Sequence, residues 1–253
     1  MRFASLGSGS RGNATLVEAG GTRVLVDCGF AAREAERRLA AVGVAPADLC
    51  AILVTHEHGD HVRGVVPLAT RYGLEVWSTP GTWRALGGPE LPGLRLFSPH
   101  NGTLRVGDLR VTPFPVPHDA REPAQLVLDH NGTRLGVLTD TGSVTAHARA
   151  LLAECDALML ECNHDLGLLR GGPYPPVLQA RVSGPFGHLS NDQAAALVDE
   201  IPHRRLRHLL IAHLSAKNNR PSLARQALLQ VAADLAPRLA LAEQDRPTRW
   251  LAL

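Results

Sequence analysis

Four apolar strand candidates run directly into side chains that bind metals or move protons, and this constrains the fold more than any other feature of the chain. Ala51–Thr55 leads to His56, Leu135–Thr139 to Asp140, Ala157–Leu160 to Glu161 with His164 beyond, and His208–Ala212 to His213. Open α/β sheets build their sites at the carboxyl ends of strands. The repetition therefore predicts strand ends converging on one rim. Around these segments, Leu16–Glu18 and Arg23–Cys28 read as a hairpin, and Ala31–Val42 and Val62–Tyr72 as helices. Ala124–Leu128 and Thr133–Thr139 read as strands joined by an Asp-His-Asn-Gly turn. Helices follow over Ala146–Glu154, Asp192–Ile201 (capped by Ser190 or Asn191) and Ser222–Leu235. The Gly/Pro-rich stretches 87–93 and 171–176 read as loops. Sheet layers covered by helices satisfy this order of elements.

The densest chemistry is His56-Glu57-His58-Gly59-Asp60-His61. Three imidazoles and a carboxylate on one tight turn after a strand can reach two adjacent cations, and such donors suit Zn²⁺, Mn²⁺ or Fe²⁺. A second feature, Gly7-Ser8-Gly9-Ser10-Arg11-Gly12-Asn13, lacks the Gly-Lys-Ser/Thr ending of a nucleotide loop. It reads as a tight loop from which Ser10, Arg11 and Asn13 can meet a substrate, or as a purely structural turn. Lys217, Asn218 and Asn219 follow His213 closely and offer a cation and two amides to a phosphate.

The balance of 26 basic against 24 acidic side chains, a net +2, excludes coating of nucleic acid by bulk charge but allows a local basic groove. Cys28, Cys50, Cys155 and Cys162 form no CxxC pair, the first residues lack a secretory pattern, and no apolar run is long enough to span a bilayer. The expectation is a cytoplasmic protein with no membrane partner.

On the HxHxDH motif the chain resembles the metallo-β-lactamase superfamily, along nearly its whole length. The resemblance implies an αββα four-layer sandwich, two mixed sheets flanked by helices, as a single domain over 1–253 without a β-CASP insertion. It implies two divalent metal ions, Zn²⁺ or Mn²⁺, one held by His56 and His58 and the other by Asp60 and His61. His118, Asp140 as a bridge and His213 would complete the ligands, with Asp27 bracing the turn from behind. His100 competes with His118 for its place; the extended apolar segment before His118 favours the latter.

LGSGSRGN (6–13), PHDAREP (117–123), TDTG (139–142), ECNHD (161–165), GHLSN (187–191) and HLSAKNN (213–219) further resemble the YycJ (WalJ)-type nuclease-like branch. That resemblance implies a phosphodiesterase using a metal-bridged hydroxide, in particular a 5′→3′, single-strand-preferring DNA exonuclease linked to repair. Its partner would be nucleic acid, DNA before RNA, with a homodimer and repair proteins as candidate assemblies. ECNHD and GHLSN are also similar to paired motifs of tRNA 3′-processing endonucleases. By that likeness His188 assists the leaving group, Glu161 or His164 orients it or meets phosphate, and Ser190 and Asn191 join the substrate contacts. Asp60 counts among the catalytic residues as well as the ligands. A small-molecule phosphodiesterase with the same site, and a non-catalytic sensor, are the rival readings.

Overall fold

A computed structural model describes residues 1–100 and 102–253. The chain forms two compact units, and its strands fall into two mixed sheets of seven. The first unit comprises Met1–Pro115, Ala120–Thr133 and Glu243–Leu253, the second Val116–Asp119 and Arg134–Ala242.

With elements numbered in chain order, the first unit opens with strands β1 (Arg2–Gly7), β2 (Ala14–Ala19) and β3 (Thr22–Val26), then helix α1 (Ala32–Ala41) and β4 (Ala51–Leu53). Helices α2 (Gly59–Val62) and α3 (Val65–Tyr72), β5 (Glu75–Ser78), α4 (Pro80–Ala85) and β6 (Leu94–Leu96) follow. Then come β7 (Leu104–Val106), β8 (Leu109–Pro115) and β9 (Ala124–His130), while the last strand, β14 (Leu251–Ala252), returns to pair with β1. One sheet runs β14-β1-β2-β3-β4-β5-β6. Its pairs are antiparallel from β14 to β3 and parallel from β3 to β6. Every residue of β4 is buried, as an apolar run inside a parallel sheet should be.

Helix α1 buries Ala35 and Leu39 together with Arg38. The Arg38 guanidinium donates to the carbonyls of Leu6 and Gln244 and lies 3.9 Å from the centroid of the Phe30 ring, so a charged residue is accommodated in the core. The helix expected over Val62–Tyr72 is instead two, α2 and α3, parted at Arg63-Gly64. The Gly64 N–H donates to Cys28 O, and a Cβ there would lie 2.2 Å from Phe30 O. This close backbone approach, rather than side-chain periodicity, sets the break.

The second unit takes in β10 (Thr133–Leu138) from Arg134 onward, then α5 (Ala146–Leu152), β11 (Ala157–Glu161), α6 (Leu166–Arg170), α7 (Pro176–Val182) and α8 (Asn191–Glu200). It ends with β12 (His208–Ala212), α9 (Pro221–Val231) and β13 (Leu239–Leu241). Strands β10 to β13 run parallel, pairing Leu138 with Leu160 and Leu160 with Ile211, so their carboxyl ends lie side by side. The Asp-His-Asn-Gly turn forms as expected, with Asn131 at φ 52° and Gly132 at φ 83°. Ser190 caps α8 in a reciprocal box with Gln193. Helices α6 and α7 flank the stretch read only as a loop, and the helix expected over Ser222–Leu235 stops at Val231 before a 3₁₀ turn over Ala233–Arg238. Among the described residues no helix is long and apolar enough to cross a membrane.

Candidate functional site

In the first unit β3 ends at Val26, and the next residue, Asp27, turns into the left-handed region at φ 61°. Its carboxylate accepts from the Thr55 N–H, the Thr55 hydroxyl and His61 Nδ1, each at 2.8 Å. His56 Nδ1 lies 3.0 Å from Thr55 Oγ1 and donates to it, since the hydroxyl hydrogen already points to Asp27. One buried carboxylate thus fixes the tautomer of both imidazoles, directly and through a hydroxyl. Nε2 of each is the nitrogen that can ligate. The three rings crowd together, with centroids 4.7 Å apart for His56 and His58 and 4.1 Å for His56 and His61.

Glu57, within the same turn, serves the scaffold: it accepts from the Arg121 N–H at 2.6 Å and from the Thr82 hydroxyl at 3.3 Å. Gly29 lets a neighbouring loop pass the turn, because a Cβ there would lie 1.6 Å from Asp60 O. Asn13 is buried, and its amide NH₂ lies 3.3 Å from Asp60 Oδ2 and 3.1 Å from His61 Nε2. The lone pairs of these two acceptors therefore converge on a single electropositive group. That convergence, with imidazoles whose Nδ1 is already engaged, is what a divalent cation requires, so the residues fit the implied metal.

In the second unit Asp140 follows β10 at φ 52°, Glu161 ends β11, and His213 follows β12 at φ 53°. Glu161 is fully buried, and its Oε1 accepts from Nδ1 of both His188 and His213 at 2.8 Å. Its Oε2 accepts from the N–H groups of Thr141 and Leu189. Burial alone would raise the Glu161 pKa, but the charge and hydrogen bonds of His188 and His213 outweigh it and hold the carboxyl ionised, below its ordinary range. For His188 burial again opposes the charged form, and Glu161, aided by Asp140, reverses the balance and raises its pKa. Asp140 Oδ1 lies 3.3 Å from His213 Nδ1 and 3.6 Å from His188 Nδ1. Asp140, Glu161, His188 and His213 each offer a ligand atom within 4.8 Å of the others.

His118 is buried, and its Nδ1 donates to the Gly187 carbonyl at 3.0 Å, again presenting Nε2. Burial lowers its pKa, which keeps the ring neutral. Its competitor His100 is exposed, with its backbone N–H on Ser98 Oγ.

The candidate substrate contacts divide into two groups. Ser10, Arg11 and Lys217 are exposed, Arg11 in an ion pair with Asp245 at 2.8 Å and the Lys217 ammonium 5.6 Å from the centroid of the Tyr174 ring. Asn13, Ser190, Asn191 and Asn219 are buried in the fold's own hydrogen bonds: Asn191 and Asn219 exchange amide bonds, and Asn219 also donates to Cys162 O. Asn218 and His164 are buried as well, and burial lowers the His164 pKa to about 4. Three contributors carried no sequence signal: Thr55, Glu57 and the Gly187 carbonyl. A threonine, a glutamate and a backbone oxygen are too common to stand out.

A family profile described as a beta-lactamase superfamily domain matches residues 22–211. The chain is 34% identical over 234 residues to an exodeoxyribonuclease YycJ of Bacillus anthracis, covering 91% of this chain and 89% of that protein. It is 33% identical over 235 residues to an exodeoxyribonuclease WalJ of Streptococcus pneumoniae, covering 90% and 87%. Among solved structures, the metallo-beta-lactamase fold protein YhfI of Bacillus subtilis superposes with a TM-score of 0.74 over 98% of this chain and 99% of that one. At 15% identity that likeness speaks for the fold alone.

Proposed function

The chain belongs to the metallo-β-lactamase superfamily, and from that membership we propose that it is a metal-dependent phosphodiesterase, a DNA exonuclease that takes single strands from the 5′ end. The observation that carries the chemistry is the Glu161–His188 pair. A histidine whose Nδ1 is held by a buried carboxylate, and whose affinity for a proton is raised by it, is suited to deliver a proton from Nε2 to a departing oxygen. The DNA substrate is supported by the two exodeoxyribonucleases that match over nine-tenths of the chain.

In the first unit His56, His58, Asp60 and His61, and in the second His118, Asp140 and His213, are the residues that would serve as metal ligands, as in the family. When bound, two divalent ions acidify a water and offset the charge that develops at phosphorus. The chain's own residues supply the rest. Asp27 and Thr55 fix the tautomer and the aim of His56 and His61. The Gly187 carbonyl does the same for His118, and Glu161 for His213 while it holds the proton donor His188. A role in DNA repair follows from the same reading.

The test is a time course on 5′- and 3′-labelled single and double strands of DNA and RNA across Mn²⁺, Zn²⁺ and chelator. Release of short products from the 5′ end of single-stranded DNA, with about two metal ions per chain, is the expected result. Turnover of bis(p-nitrophenyl) phosphate without cutting any oligonucleotide would transfer the site to a small-molecule substrate.

A further inference from the structure

The loop from Ser183 to Gly187 joins α7 to His188 and carries Phe186, whose side chain is 60% exposed. The whole chain has only ten aromatic residues (five Phe, three Trp and two Tyr). Among the described residues Phe186 is the one aromatic in the set of exposed large hydrophobics. Yet the loop that presents it is tightly held. The Gly187 N–H donates to Gly184 O, the His188 N–H donates to Val182 O, and the Gly187 carbonyl receives His118 Nδ1–H. A Cβ on Gly142, two residues after Asp140, would lie 2.3 Å from the Pro185 carbonyl carbon, so the Asp140 turn packs directly on this backbone. The loop backbone is thus held against three site residues, while the ring it carries is largely exposed to solvent.

Beside it lies an open depression of about 190 Å³, lined by Asp119, Ala180, Arg181, Gly184, Pro185 and Phe186. Asp119 follows His118 directly and accepts from Arg181 Nε at 2.5 Å, which sets the guanidinium at the edge of the depression. A larger depression of about 380 Å³ shares Ala180 and brings in Arg170 with Gln179 and Ser183. An apolar ring face, then a cation, then a second cation is the layout of surfaces that hold single strands by stacking bases and tracking phosphates.

We propose that Phe186 is a stacking platform for the nucleobase next to the phosphate served by His188, with Arg181 flanking that nucleotide. The inference rests on the nuclease reading and deepens it by naming what selects the strand. A base inside a duplex has both faces covered by its neighbours, whereas an unpaired base can lay one face on the ring. Stacking accepts every base, so the platform favours single strands without reading sequence.

The experiment compares wild type, Phe186→Ala and Phe186→Trp on a single-stranded oligonucleotide, and on the same strand with an abasic residue at the nucleotide beside the cut. Wild type should prefer the normal strand. Phe186→Ala should raise KM for it by about 10- to 100-fold, leave the abasic strand nearly unchanged and so lose the preference, and Phe186→Trp should restore it. A 2-aminopurine at the same nucleotide, read in chelator, should be quenched on binding wild type and remain bright with Phe186→Ala. Equal KM values and an equal abasic ratio in wild type and Phe186→Ala, with the strand still cut, would overturn the platform and spare the nuclease. A wild type that cuts no oligonucleotide would overturn both.

Discussion

Asp27 and His61, 34 positions apart in the chain, meet in a 2.8 Å hydrogen bond between Oδ2 and Nδ1, both side chains buried. The same carboxylate receives both donors of Thr55, whose oxygen in turn receives His56. A single acid therefore aligns two of the expected ligands.

Asp27→Ala should weaken metal binding by about 10- to 100-fold, because the rings lose their tautomer and aim. It should also destabilise the metal-free protein by about 1–3 kcal/mol, since buried donors lose their acceptor. Chelator-competition titration and urea unfolding in chelator separate the two effects. Unchanged affinity would remove Asp27 from the site.

His188→Ala and Glu161→Ala should part company. Loss of His188 removes a proton donor and should lower turnover by about 10²- to 10⁴-fold with metal content intact. Loss of Glu161 also releases His213, which it holds at 2.8 Å, so metal content should fall together with activity. Metal analysis of both purified variants checks this; equal depletion in the two would make His188 a ligand.

Glu34 sets one acid limit on stability. Hydrogen bonding to Arg37 is the main cause, with Arg38 adding to it, and together they lower its pKa from 4.5 to about 2 in the folded protein. A lowered folded pKa means that stability is present above about pH 4.5 and is lost as pH falls toward 2. The Glu34 side chain is 35% exposed, so screening limits the pair to about 0.5–1 kcal/mol. Glu34→Gln should lose that much at pH 7, and the gap to wild type should close as pH approaches 2 in urea titrations.

Thiol chemistry should be confined to Cys50, the exposed one of the four cysteines. Burial raises the Cys28 and Cys155 thiols to about 12 and raises Cys162 too, so their thiolates are scarce at neutral pH. Iodoacetamide on the native protein should label one thiol, and four after unfolding. Fast labelling of Cys28 would contradict its packing beneath the 56–61 turn.

The strand ends were legible because buried parallel strands are uniformly apolar, so His56, Asp140, Glu161 and His213 stand out where each run stops. The supports were not. The Gly187 carbonyl has no side-chain signature, and Thr55 resembles any strand residue. Helices α6 and α7 are short, and their caps, Asp165 and Pro175-Pro176, lie among glycines and prolines that read as loop. Asn13, Asn191 and Asn219 show a further limit, since a polar residue beside a site can equally well serve the scaffold. Only coordinates tell the two apart.

Asp27, Asp140 and His213 each leave a buried strand with φ between 52° and 61°, a region that glycine enters readily and other residues resist. Each such residue handicaps the fold by about 1–3 kcal/mol, borne by the surrounding core. Glycine would relieve that strain, but at 27 it would strip Thr55 and His61 of their acceptor, and at 213 it would strip Glu161 of a donor. Glycine at 27 or 213 in a related chain would therefore mark an enzyme in retirement, its backbone eased but its buried partners left unanswered.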